Sequence, residues 1–513
     1  MAPPGVLLRG KAYHATSWLF LRALGVVYLF AFWSLAAQVR GLIGEDGILP
    51  ARLTMAAARA YVASQHLGID RFRLLPTIAW LNTSDLFLAG LCFGGVALSV
   101  LLIAGLMPAF VLPLLWFDYL SLSVVSRDFL SYQWDALLLE TGFLAIFLAP
   151  LVLRERLSAG AEPPLLARWL LRWLLFRLMA GSGAIKLASG DSMWRGLTAL
   201  SVHFETQPIP TPIAWYAHHM PLWLGKASTA AVIGIELLAP FLMFGRPRER
   251  RIGFALLAGL QLVIFLTGNY AFFNLLTVAL CVWLLDDEIV GRLFLDPATS
   301  VVPERPLGPV AAYAMHTRQA LLVLVAIVTI PVSALIFASS LGVAPPGASL
   351  VSPAADFIAP FRSVNSYGLF AVMTPTRPEI IVEGSDDGEK WFAYEFKYKP
   401  GDTQRRPPWV APHQPRLDWQ MWFAALEGYE RAPWFSNFCL RLLQGSPEVL
   451  RLMAGNPFPK RPPRYVRGIL YRYRFTDRSP PDPQGAWWTR ELLGAYSPPL
   501  SLDVGRGRTP PAR

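Results

Sequence analysis

SWLFLRALGVVYLFAFWSLAAQV, residues 17–39, runs from Ser17 to Val39 with one charged side chain, Arg22. A helix rises about 1.5 Å per residue and a bilayer core is about 30 Å thick, so a stretch of this length and composition predicts a transmembrane helix. It is longer than the apolar region of a secretory leader, and it reads as a span rather than a cleavable signal peptide. Working outward, comparable runs lie near residues 84–106, 108–126, 134–153, 165–188, 223–245, 252–269, 271–286 and 319–341. The expected fold is therefore a polytopic α-helical membrane protein of about nine transmembrane helices. The Pro-containing 108–126 run either crosses or dips in and returns.

Composition agrees. Of 513 residues 54% are hydrophobic and 16% charged, with a mean hydropathy of +0.39. The net charge of +11 comes from arginines between apolar runs or in the C-terminal third. That distribution suits loops held against anionic headgroups, so membrane lipids are the expected partner and nucleic acid is not. Cys92, Cys281 and Cys439 form no CxxC pair, which predicts neither a dithiol centre nor a disulfide framework. Seven lysines against 39 arginines, with abundant Ala, Pro and Gly, point to a GC-rich genome. The expected location is a bacterial inner membrane, or the endoplasmic reticulum membrane in a eukaryote. Asn82 opens a formal glycosylation sequon, but it abuts a span.

Loop arginines set the expected orientation. Arg154, Arg156, the cluster Arg246, Arg248, Arg250 and Arg251, and Arg292, Arg305 and Arg318 share one face with the N-terminus. The other face holds loops 40–83 and 189–222 and the C-terminal domain. The first set is the richer, placing residues 1–16 in the cytosol and the C-terminal domain outside, although five arginines in the 40–83 loop oppose this.

After the bundle, 17–341, the texture changes. Residues 342–360, rich in Pro, Ala and Gly, read as a linker. Residues 361–496 read as an extracytoplasmic β-rich domain, an α+β fold with a β-sandwich-like sheet. Strand-like runs are SYGLFAVM (366–373) and the segments flanking Ser385-Asp386-Asp387-Gly388, a hairpin signal. Helices are expected over 417–427 and near 434–454, and a returning strand at RYVRGILYRYRFTD. The tail, 497–513, reads as disordered.

Charges inside apolar spans are costly and call for partners or a task. Those considered as candidates are Arg22, Asp118, Glu140, Arg172, Arg177, Lys186 and Glu236. Nearly balanced signs suggest an internal network in which Glu140 and Glu236 neutralise Arg172 and Arg177. Lys186, in FRLMAGSGAIKLASGDSMWRGL (176–197), follows two glycines that let helices approach closely. It shares a helix face with Arg168. A lysine desolvated near other cations can serve as a general base; alternatively it snorkels to the headgroups. The loop 189–222 carries His203, Glu205, His218 and His219, whose spacing matches no familiar metal motif, so no metal is expected. GxSxG, HExxH and Gly-rich phosphate loops do not occur.

Long ordered blocks carry a resemblance: GLIGEDGILP (41–50), SYQWDALLLETGFLAIFLAP (131–150), SGAIKLASGDSMWRGLTALSVHFETQPIPTP (182–212), FFNLLTVALCVWLLDD (272–287), the hairpin region 365–402, RRPPWVAPHQPRLDWQMWFAAL (405–426) and GNPFPKRPPRYVRGILYRYRFTD (455–477). Together they resemble the lipase maturation factor family, from about residue 38 to 478. The resemblance implies a role in folding or assembly of secreted client proteins, lipases being one candidate class; animal members reside in the endoplasmic reticulum. More faintly, AGSGAIKL and MWRG are similar to the active-site segment of the horizontally transferred transmembrane domain shared with vitamin K-dependent carboxylases, which implies Lys186 as base. The hairpin Ser385 to Trp391 is similar to that of discoidin-like sandwiches.

Two readings follow. In the first, a membrane factor without enzymatic activity, and with no cofactor, binds clients through Arg405, Arg406, Trp409, His413, Arg416 and Trp419, since exposed Trp and Arg are common anchors; the two tryptophans have an alternative place in the domain core. In the second, a carboxylase-like membrane enzyme uses Lys186 as base, assisted by His203 and Glu205, with a quinone-like lipid entering between helices. A transporter would show an internal repeat, and the sequence has none.

Overall fold

The computed structural model describes residues 13–157, 162–294, 309–477 and 485–502. Arg305, residues 1–12 of the expected cytosolic segment and 503–513 of the expected disordered tail lie outside them. The membrane part contains α1 (His14–Ala36), α2 (Asp85–Ile103), α3 (Pro108–Ser126), α4 (Gln133–Ile146), α5 (Leu165–Ala188), α6 (Leu222–Leu238), α7 (Pro247–Thr267), α8 (Phe273–Cys281) and α9 (Pro309–Ser340). Six of them, α1, α2, α3, α6, α7 and α9, are long and apolar enough to cross a membrane. With this content the chain is a multi-pass membrane protein.

The remaining three expected spans are helical but differ in kind. α5 has 24 residues and carries Arg168, Arg172, Arg177 and Lys186. α4 has 14 residues, about 21 Å at the α-helical rise, and α8 has nine before a tighter turn, Val282–Leu284. Both are largely buried among the other helices, which shields their polar groups from lipid. Pro113 lies inside α3, which continues as one helix to Ser126.

The bundle has two distinct ends. At one, the Ala15 and Thr16 amides at the start of α1 donate to Asp287 (3.1 and 2.9 Å), and Arg318 reaches the Ala149 carbonyl just past α4. At the other, the last turn of α1 meets Gln414, and Tyr132, at the start of α4, donates to the Arg416 carbonyl (3.3 Å). The C-terminal domain sits on this second end.

That domain contains strands β1 (Arg377–Ser385), β2 (Phe392–Tyr394), β3 (Tyr465–Phe475) and β4 (Trp488–Ala495) in one antiparallel sheet of order β2-β1-β3-β4. The β1–β2 hairpin turns at Asp387-Gly388, where the Ser385 hydroxyl and Asp387 carboxylate accept the turn amides and Gly388 takes φ +82°. Among the described residues there is this one sheet and no second sheet facing it. Two helices, α11 (Arg416–Glu427) and α12 (Pro433–Leu443), cover it. Leu417, Met421, Phe435 and Phe438 pack with Ile380 and Val382, and this core is continuous with that of the bundle.

One expectation is corrected. SYGLFAVM forms no strand: it is an irregular segment tied to the bundle by Tyr367, Phe370 and Met373. The 342–360 linker contains a helix, α10 (Ala348–Ile358), which follows Gly347 in the left-handed region (φ +78°). Its small and apolar residues support an amphipathic turn pattern that Pro and Gly content had masked.

Candidate functional site

The seam between bundle and domain is built from polar side chains that the helix ends aim at one another. Arg416, first residue of α11, is fully buried, and its Nη1 and Nη2 donate to Asp135 Oδ2 and Oδ1 at 3.0 and 2.9 Å. Nη1 also reaches the Phe129 carbonyl (2.6 Å), and Tyr119 donates to the same Asp135. Burial alone disfavours the Arg416 charge; the Asp135 carboxylate overcomes this and holds the guanidinium above its ordinary pKa. Gln38 donates to the Gln414 carbonyl (2.7 Å) and accepts from the Arg416 amide (2.9 Å). Asn269, beyond α7, accepts from the Val410 and Ala411 amides (2.8 and 2.9 Å) and donates to Pro408 (2.9 Å).

A second clamp joins the sheet to loop 189–222. Arg377, on β1, donates to the carbonyls of Glu205 and Pro208, both at 2.7 Å, and to that of Gln207. Behind it Glu379 lies between Arg377 (2.7 Å) and Lys399 (2.9 Å), all three nearly solvent-free. Trp422 donates to the Thr206 carbonyl (2.8 Å). These buried hydrogen bonds and ion pairs join the domain to the bundle and to loop 189–222.

The internal charges pair in part as expected, with Glu140 on Arg177, while Glu236 and Arg172 take other partners. Glu140 takes Arg177, and its second oxygen accepts from Asn365 N (2.8 Å) and Tyr367 (2.7 Å), linking α4 and α5 to the segment after α10. Glu236 pairs with Lys186 at 2.8 Å, with neither Arg172 nor Arg177. Arg172 instead donates to the Trp283 carbonyl (2.9 Å) and Tyr13 (3.0 Å). Lys186 also donates to the Ser182 carbonyl (3.1 Å) and lies 5.2 Å from the Trp194 ring. It faces an anion and an aromatic ring, whereas the general-base reading required cations. The close approach expected of the glycines is present, since a Cβ on Gly183 would meet the Glu236 Cβ at 2.9 Å.

Around the loop, His203 is bonded to Tyr270 (3.0 Å), and burial, then the Lys186 charge, lowers its pKa to about 4. Glu205 accepts from the Phe475 amide (2.8 Å) and lies 3.6 Å from His218; burial raises the Glu205 pKa and lowers that of His218 to about 4. His219 is bonded to the Trp215 carbonyl (2.7 Å). Among the described residues no three His, Cys, Asp or Glu side chains converge as a metal would require.

The six expected client-contact residues divide. Arg416 and Trp419 are buried in the seam, and Trp419 packs edge-on against Trp134, 4.7 Å between centroids. His413 is bonded to Ser34 (2.9 Å), with burial, then the charges of Arg416 and Lys397, lowering its pKa to about 4. Arg405 braces the Phe396 and Lys399 carbonyls (2.6 and 2.7 Å). Arg406 and Trp409 alone face solvent, Arg406 lying 5.4 Å from the Trp487 ring. Asp135 and Asn269, central to the seam, stand out in the sequence only as polar residues at helix ends.

This architecture defines a multi-pass membrane protein whose C-terminal domain packs on one end of its bundle. The lipase maturation factor transmembrane domain model matches residues 15–292 and the lipase maturation factor C-terminal domain model residues 363–498. The chain belongs to the lipase maturation factor family. It is 39% identical to lipase maturation factor 2 of Mus musculus over 94% of this chain and 83% of that protein. Against lipase maturation factor 1 it is 37% identical for Homo sapiens (95% and 89%) and 36% for Bos taurus (99% and 94%). No solved structure matches it.

Proposed function

We propose that this chain is a membrane-embedded maturation factor for secreted proteins, with lipases, named in its relatives, as the first candidate clients. The observation that carries the reading is the buried Arg416–Asp135 seam, which makes the C-terminal domain a rigid platform beside the membrane. Arg406, Trp409 and Trp487 are the client-facing group. All nine helices cross the membrane, α4, α5 and α8 inside a ring of lipid-facing spans. In support, successive helix ends alternate between the Asp287 end and the Gln414 end. The arginine-rich Asp287 end is cytosolic and the platform extracytoplasmic, in a bacterial inner membrane. Lys186 is structural, held as half of a buried pair with Glu236.

The test is site-specific photocrosslinking to a co-expressed secreted lipase. A crosslinker at Trp409 gives lipase adducts, and one at Tyr313, exposed near the opposite end of the bundle, gives none. Adducts at Tyr313 only would refute the platform reading.

A further inference from the structure

Beside the platform, a second surface combines exposed apolar and basic side chains. Between α1 and α2 the chain forms short turns over Gly68–Asp70, Arg71–Leu74 and Ile78–Trp80. Here Ile69 and Leu81 are 82% and 81% exposed, with Phe72 and Leu74 open beside them. Arg71 lies over the rings of Phe72 (4.6 Å) and Trp80 (5.7 Å). Arg73 lies 5.3 Å from the ring of Phe357 on α10, a helix without buried residues whose Leu350 is 85% exposed.

The depth of this surface identifies what covers it. Thr77 donates to the Ser121 carbonyl and the Ile78 amide to the Ser121 hydroxyl, both at 3.1 Å. Ser121 lies within α3, which runs on to Ser126, so the segment is pinned about 7 Å below the end of that helix. In-plane amphipathic helices sit about 5–10 Å into the boundary between headgroups and acyl chains. The patch also runs on through Leu81 and exposed Leu86 into the apolar face of α2. An apolar surface at that depth, interleaved with arginines and a tryptophan, has the composition of a membrane-interface belt.

We infer that residues 67–81, with α10 beside them, form an in-plane collar that inserts into the leaflet on the platform side and holds lipid phosphates against Arg71 and Arg73. The arginine stems lie along apolar surface while their guanidinium groups reach the phosphate level. The collar would tether the platform side of the bundle to the membrane at a defined height.

The native cysteines, Cys92, Cys281 and Cys439, are buried, so a cysteine introduced by Ile69→Cys in the full chain takes a nitroxide label selectively. Leu81→Cys provides an independent position should the first variant misfold. In phosphatidylcholine vesicles each label collides several-fold more with oxygen than with a water-soluble nickel chelate. Adding phosphatidylglycerol slows the label in the parent and leaves it unchanged in Arg71→Gln/Arg73→Gln. Preferential collision with nickel would show a water-exposed loop and overturn the inference. Shielding from both reagents would show that a client or second copy covers the patch, and would equally overturn it. The phosphate contact requires that phosphatidylglycerol slow the label in the parent and not in the arginine variant; slowing in the variant equal to the parent's would remove it.

Discussion

Arg416 of the C-terminal domain and Asp135 of the bundle, 281 residues apart in sequence, face each other as a two-pronged ion pair with no solvent on either side chain. A buried pair of this kind adds modest net stability over an apolar replacement, but removing one partner strands the other charge. The pair therefore fixes where the domain sits more than how tightly the chain folds.

Arg416→Met is expected to destabilise the protein by about 3–5 kcal/mol, because Asp135 remains buried and unpaired. Thermal unfolding in detergent reads this, together with faster proteolysis near the seam. Arg416→Met/Asp135→Leu recovers most of the loss. Arg416→Lys does not, because a point charge cannot span both carboxylate oxygens.

Lys186→Met leaves Glu236 alone in the bundle and is expected to lower the unfolding midpoint. Adding Glu236→Gln restores it. Gly183→Ala pushes against the Glu236 Cβ and weakens the same pair, at a cost of about 1–3 kcal/mol. Equal unfolding midpoints for Lys186→Met and the parent would contradict the structural assignment.

Much of this fold was legible in the sequence. Runs of apolar residues long enough to cross a bilayer located the helices, and the Asp387-Gly388 turn located the hairpin. The partners of the charges were not legible, since periodicity fixes which face a residue occupies but not which helix it meets. Glu236 therefore took Lys186 while Arg172 settled on a carbonyl. The strand Trp488–Ala495 is not legible in the sequence, because most of its residues are exposed and carry no alternating apolar pattern. Trp419 carried the composition of a binding anchor, but burial against Trp134 makes it core.

That division gives a mutational contrast. Trp419→Ala is expected to cost about 3–5 kcal/mol, as a cavity in packed surroundings does. Trp409→Ala and Arg406→Ala are expected to stay within about 0.5 kcal/mol of the parent, as surface changes usually do. Unfolding midpoints of purified variants check both; a large loss at Trp409 would mean that it is a packing residue.

The three histidines at the platform, His203, His218 and His413, have pKa values lowered to about 4 in the folded protein, each chiefly by burial. Between about pH 6.5 and pH 4 the unfolded chain binds protons that the folded chain does not, so stability is full above this window and falls as pH drops through it. Glu205 and Asp418, raised by burial, act oppositely at the lower edge of the window, where the folded chain retains protons that the unfolded carboxylates release. The unfolding midpoint is expected to be lower at pH 5.5 than at pH 7.5, and His413→Gln reduces that difference. A midpoint independent of pH in the parent would refute it.

The most direct test of the central claim is secretion of active lipase by cells that lack their own maturation factor and express this chain. The parent and the folded Lys186→Met/Glu236→Gln variant are expected to restore secretion, and Trp409→Ala/Arg406→Ala to lose it at unchanged abundance. Loss in the Lys186 variant with full activity in the Trp409 variant would contradict the account, moving function from the platform into the bundle.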